Sequence, residues 1–117
     1  MKKVFHLSTC QTCRRILEDL DPGETCVRQD VKKQPISPAE LDALAGKAGS
    51  YEALFNRQSQ QYKALNLKER QLSEADYRQL ILDHYTFLKR PLFVLDGQLY
   101  AGNSPKTVAA AKAHLQS

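Results

Sequence analysis

The chain has 117 residues, 42% of them hydrophobic and 26% charged, which is ordinary for one soluble globular domain and long enough to bury a core without disulfide or metal staples. Its 17 Lys and Arg against 13 Asp and Glu leave a net charge of +4, a mild basic excess that suits an anionic small ligand or an acidic partner and is too small to argue for direct nucleic-acid binding. No apolar stretch approaches membrane-spanning length, and the run after Lys2 and Lys3 ends at His6, Ser8 and Thr9, too early for a secretory signal, so a cytoplasmic protein with no membrane association is expected.

Val4, Phe5 and Leu7 predict a short strand, and residues 14–20 predict a helix. Between them stands Cys10-Gln11-Thr12-Cys13. Asp21-Pro22-Gly23 is a turn signal, and residues 25–28 predict a second strand ending near Asp30. The chain thus opens β-α-β, a unit that is right-handed with parallel strands. Ser37-Pro38-Ala39-Glu40 predicts a capping box opening a helix that runs to about Ala45 and stops near Gly46 or Gly49. Residues 51–55 and 62–67 predict two short helices. Ser73 to Asp76 cap a clearer one, with Tyr77, Leu80, Ile81 and Tyr85 on an apolar face. Leu92-Phe93-Val94-Leu95 and Leu99-Tyr100-Ala101 predict a hairpin turning at Asp96-Gly97, and Ser104-Pro105-Lys106 opens a final helix through Leu115. The expected architecture is a single α/β domain over 1–117. Its mixed four-stranded sheet follows the order β-α-β, then β-β-α, with helices on its faces and a mostly helical insertion over about 37–86.

The C-x-x-C motif places two sulfurs on one turn at a helix start, where unpaired backbone N–H groups and the positive end of the dipole favour thiolate. Cys10 is the candidate nucleophile, with Arg14 and Arg15 one turn on. Cys13 is the candidate resolving thiol, and at the same time a small residue suited to packing the helix on the sheet. Cys26 reads as a packed strand residue. Three cysteines without a second C-x-x-C or C-x-x-H pair argue against a disulfide scaffold and against zinc, even with His6, His84 and His114 as further ligands, so no metal is expected. His6 either pairs with the Cys10 thiolate or is a hydrogen-bonded histidine at a strand end, and the residues leave both open. Arg90-Pro91 precedes a strand. Arg90 offers a planar fork for an oxyanion or carboxylate, and Pro91 is a candidate cis-proline. Asn56, Arg57 and Lys63 lie in a polar stretch that serves as either a binding loop or a solvated connection.

Taken in order, these segments resemble the arsenate-reductase-like branch of the thioredoxin-fold superfamily, which includes the Spx-type redox regulators. The resemblance rests on Cys10-Gln11-Thr12-Cys13-Arg14, on Leu54-Phe55-Asn56-Arg57 with Gln61-Tyr62-Lys63-Ala64-Leu65, on Phe87-Leu88-Lys89-Arg90-Pro91-Leu92, and on the last hairpin and helix. It implies a thioredoxin-like core with a helical insertion, Cys10 as nucleophile, His6 as the histidine four residues before it, and Arg90 beside a cis Pro91. Of the three oxyanion-binding arginines of the glutathione-linked reductases, only Arg90 has a clear match. Asn56, with Arg57 adjacent, takes the place of a second. Gly102-Asn103, with Lys106 close by, takes that of the third.

The expected function is a thiol–disulfide oxidoreductase with no tightly bound cofactor. It would use glutathione, thioredoxin or glutaredoxin as co-substrate and act as a monomer. Arg90, Arg57, Asn56, Lys106 and Arg14 would hold an anionic group. Two alternatives accompany it: an arsenate reductase, and a Spx-type regulator that binds the RNA polymerase α subunit under control of the Cys10–Cys13 pair.

Overall fold

The computed structural model describes residues 1–117. They fold as two compact units, one of Met1–Gln34 with Arg90–Ser117 and one of Pro35–Lys89. No helix is long and apolar enough to cross a membrane.

The first unit contains β1 (Lys2–His6), α1 (Gln11–Leu20), β2 (Cys26–Asp30), β3 (Leu92–Leu95), β4 (Gln98–Ala101) and α5 (Pro105–Gln116). The mixed four-stranded sheet expected from the sequence has the order β2-β1-β3-β4. β1 and β2 are parallel, with Lys2 opposite Cys26 and His6 opposite Asp30. β3 runs antiparallel to β1, Phe5 opposite Leu92, and to β4. α1 buries Cys13, Ile16, Leu17 and Leu20, the i, i+3, i+4, i+7 stripe of an amphipathic helix. Ile16, Leu17 and Leu20 join Val4, Cys26, Phe93, Leu95 and Ala111 in one cluster, with Tyr100, Val108 and Leu115 packed against it. Each large aliphatic or aromatic side chain buried there contributes about 1.5–3 kcal/mol before entropy is counted. Asp96 and Gly97 both take positive φ (52° and 87°), as a two-residue hairpin turn that matches strand twist requires. Ser104 caps α5 by accepting from the Thr107 N–H at 3.2 Å. The Arg90–Pro91 bond, for which the sequence left both isomers open, is cis.

The second unit holds α2 (Pro38–Ala48), α3 (Gln60–Ala64) and α4 (Glu74–Asp83), with 3-10 turns at Glu52–Leu54, Leu67–Glu69 and Tyr85–Phe87. The predicted Ser37–Glu40 capping box forms, and the cap expected at Ser73 is a capping box as well, closed by Asp76. α2 runs through Gly46 and stops at Gly49, whose φ of 97° closes the helix through a bond to the Ala45 carbonyl. The helix expected over 62–67 lies earlier. Ser59 caps α3 by accepting from the Gln61 N–H, and left-handed Asn66 breaks the path before Leu67. Tyr77 and Ile81 are buried on α4, whereas Tyr85 lies beyond it because His84 is extended. Phe55 stacks on Phe87 at 5.2 Å and meets Tyr77 and Tyr62 edge-on at 4.9 and 6.0 Å. An isolated antiparallel bridge joins Phe55 to Leu88.

Candidate active site

β1 delivers the chain to the mouth of α1 through Leu7, Ser8 and Thr9. The Cys10 N–H donates back to the Leu7 carbonyl at 3.0 Å, and the Cys10 carbonyl accepts the first helical bond, from Arg14, at 3.0 Å. Cys10 is therefore the N-cap residue, extended at φ −92° and ψ 115°, with its side chain beside the first turn of backbone donors. All three cysteines are free thiols. Cys10 is half-buried, and Cys13 has 0% of its surface open.

The two sulfurs are pushed in opposite directions. Burial pushes the Cys10 thiol up. It is outweighed by the Cys13 N–H, the Cys13 thiol and the Arg90 guanidinium, all of which act on the Cys10 sulfur and hold its pKa below that of a free cysteine. Burial pushes the Cys13 thiol up to about 12. The Leu7 backbone N–H opposes this, while negative charge on Cys10 adds to it. The two thiols are thus set apart: the Cys10 thiolate is the easier to form, and the buried Cys13 keeps its proton.

The cation acting on Cys10 is Arg90, not the helix arginines named from the sequence. Arg14 and Arg15 are exposed, since the inward stripe of α1 is Cys13, Ile16, Leu17 and Leu20. Arg90 instead reaches the site from the segment entering β3. His6 ends β1 opposite Asp30. Burial lowers its pKa, Asp30 raises it and Arg28 lowers it, with a net fall that favours neutral imidazole. Its Nδ1 is buried without a hydrogen-bond partner. The charged groups governing the ring are thus Asp30 and Arg28, and the structure ties His6 to the end of β2.

Asp30 itself was not singled out from the sequence. Its carboxylate accepts a short hydrogen bond from the Ser8 hydroxyl, a long one from the Ser8 N–H at 3.5 Å, and one from the Lys32 N–H at 3.1 Å. Burial raises its pKa, but these donors and His6 outweigh that and hold it below the usual carboxylate range. The clue lay in the β-α-β reading: parallel neighbours bring the ends of the first and second strands together.

Lys106 is exposed in the first turn of α5. Asn56 and Arg57 belong to the second unit. There Arg57 pairs with Glu52 at 2.6 Å and donates to the Tyr77 hydroxyl at 2.9 Å. Asn56 donates to the Thr86 carbonyl at 3.1 Å. No group of three or more His, Cys, Asp or Glu side chains is placed to hold a metal ion.

Residues 5–111 match the model of the ArsC family. The chain belongs to that family. Among its relatives is YusI of Bacillus subtilis, an uncharacterized protein 34% identical over 93 residues, 76% of this chain and 78% of that one. An arsenate reductase of Haemophilus influenzae is 26% identical over 108 residues, 90% of this chain and 93% of the relative. Among solved structures, an arsenate reductase from Vibrio cholerae superposes with a TM-score of 0.77 at 26% identity, covering 93% of this chain and 95% of that one. An arsenate reductase related protein from Brucella melitensis gives 0.72 at 25%, covering 93% and 92%. The protein is thus an arsenate-reductase-like member of the ArsC family, with the thioredoxin-like mixed sheet of those structures.

Proposed function

We propose that the protein is a thiol–disulfide oxidoreductase in which Cys10 attacks and Cys13 resolves. The observation that carries this is the convergence of the Cys13 N–H, the Cys13 thiol and the Arg90 guanidinium on the Cys10 sulfur. The Cys10 thiolate attacks one sulfur of a disulfide, forming a mixed disulfide and releasing the other sulfur as thiolate. Cys10 then carries no charge, so the part of the Cys13 shift that comes from Cys10 disappears and the Cys13 proton is easier to lose. Cys13 attacks the Cys10 sulfur, the bound half leaves as thiolate, and the two thiols have given up two electrons to form one disulfide. An external thiol, glutathione or a thioredoxin- or glutaredoxin-like protein, restores them. Arg90 anchors an anionic group on the substrate, and Lys106 at the mouth of α5 is available for a second.

The test is turnover of a glutathione mixed disulfide by the wild type and two variants. Cys10→Ser removes turnover, and Cys13→Ser accumulates a covalent adduct on Cys10 that mass spectrometry detects. Full activity in Cys10→Ser sinks the mechanism. Arsenate reduction is the neighbouring reading, favoured by the arsenate reductases among the relatives. Against it, the guanidinium of Arg57 is engaged by Glu52 and Tyr77, and a single Arg90 is a weak oxyanion clamp. A rate with arsenate and glutathione would restore that reading. Redox-dependent capture of the polymerase α subunit without turnover would point to a regulator instead.

A further inference from the structure

The short stretch between β1 and α1 is bonded to both cysteines through one residue. The Leu7 carbonyl accepts the Cys10 N–H at 3.0 Å, and the Leu7 N–H acts on the Cys13 sulfur. The next residue, Ser8, is held from the side by Asp30, which takes both its hydroxyl and its N–H. Asp30 is itself fixed. It lies opposite His6 in the parallel register, and its backbone carbonyl accepts from the Lys33 and Gln34 N–H groups at 3.1 and 2.8 Å. The chain therefore runs from an anchored strand end, through a carboxylate, to the loop whose Leu7 peptide groups hold the Cys10 N–H and meet the Cys13 sulfur.

We propose that Asp30 is a positioning residue for the Cys10–Cys13 pair, acting through its hydrogen bonds to Ser8. This rests on the reading of Cys10 as the reactive thiol, and it adds a part of the site that lies outside the C-x-x-C motif. A loop free to drift by a fraction of an ångström loses hydrogen-bond geometry at sulfur, and small misplacements at a reactive centre are costly. Two explanations for an effect of Asp30 predict opposite signs. As a bare negative charge, its removal would make the Cys10 thiolate easier to form. As a clamp, its removal loosens the donors on Cys10 and makes the thiolate harder to form. The ionisable groups around the clamp are His6 and Arg28 on the strands and Arg90 beside Cys10.

The experiment measures the pH dependence of iodoacetamide alkylation at Cys10, read by mass spectrometry on the intact full-length protein. It compares wild type, Ser8→Ala, Ser8→Thr and Asp30→Ala, with circular dichroism as the check on folding. The clamp predicts that Ser8→Ala and Asp30→Ala both move the alkylation profile to higher pH, cutting the thiolate fraction near neutrality by about threefold to tenfold, where tenfold is one pKa unit. Ser8→Thr, which keeps the hydroxyl, restores the wild-type profile. An unmoved profile in Ser8→Ala, or a profile moved to lower pH in Asp30→Ala, overturns the proposal. Should Asp30→Ala not fold, the contrast between Ser8→Ala and Ser8→Thr decides alone. An ordinary thiol profile in the wild type would count against the oxidoreductase reading, whereas the clamp stands or falls on the difference between variants.

Discussion

Asp96 concentrates more ionic contacts than any other carboxylate described above. It sits at the left-handed turn of the hairpin, meets the N-terminal ammonium of Met1 at 3.1 Å and the His114 ring at 3.0 Å, and has Lys2 at 4.0 Å. The Tyr100 hydroxyl meets the other ring nitrogen of His114 at 2.9 Å, so the contact joins hairpin, first strand and last helix. The His114 ring and the Met1 ammonium hold the Asp96 carboxyl down at about 2. A depressed carboxyl contributes stability that is present above its unfolded value of 3.8 and is lost as pH falls through about 2. Asp96→Asn keeps a residue that tolerates the left-handed turn and removes the charge. Its melting temperature should lie below wild type at neutral pH, and the gap should close as pH falls toward 2. An equal gap at both ends would mean that the charge is not what stabilises the turn.

Among the elements, those set by local chemistry were legible in the sequence. Ser37 with Glu40, Ser73 with Asp76, Asp96-Gly97 and Ser104-Pro105 each supply their own hydrogen bonds or backbone angles, and each sits where expected. Ser37→Ala should cost about 1 kcal/mol, read as a lower urea midpoint, because the Glu40 N–H loses its acceptor. The short helices of the second unit were less legible because single residues end them: Asn66 turning left-handed, and His84 extended before Tyr85. The site divides in the same way. Cys10 and Cys13 are neighbours in sequence and could be read directly. Arg90 acts on Cys10 only because the β1–β3 register sets Phe5 opposite Leu92, carrying the preceding residues back alongside Leu7. Asp30 meets Ser8 only because the parallel β1–β2 register sets it opposite His6, two residues before Ser8.

At the scale of the molecule, the basic excess is unevenly shared. The cysteine-bearing unit contains ten Lys and Arg against six Asp and Glu, while the second contains seven of each, so the whole +4 belongs to the unit that carries Cys10 and Cys13. A positive field speeds encounter with anions and is screened over about 8 Å at physiological ionic strength. On the proposed chemistry, reaction with oxidised glutathione should slow as salt is raised, and reaction with the uncharged hydroxyethyl disulfide should not. Equal salt dependence for the two would mean that the charge serves solubility alone.

On the proposed chemistry, Cys13, with no surface open to solvent, also gives the pair a sequence in time. A reagent arriving from outside meets Cys10 first, and the inner sulfur joins only by reacting with its neighbour. Choice of partner and completion of the exchange are thereby assigned to different depths. Changes on the outer wall would alter who is admitted while leaving the closing step as it was, so the same inner pair could be handed from one client to another without being rebuilt.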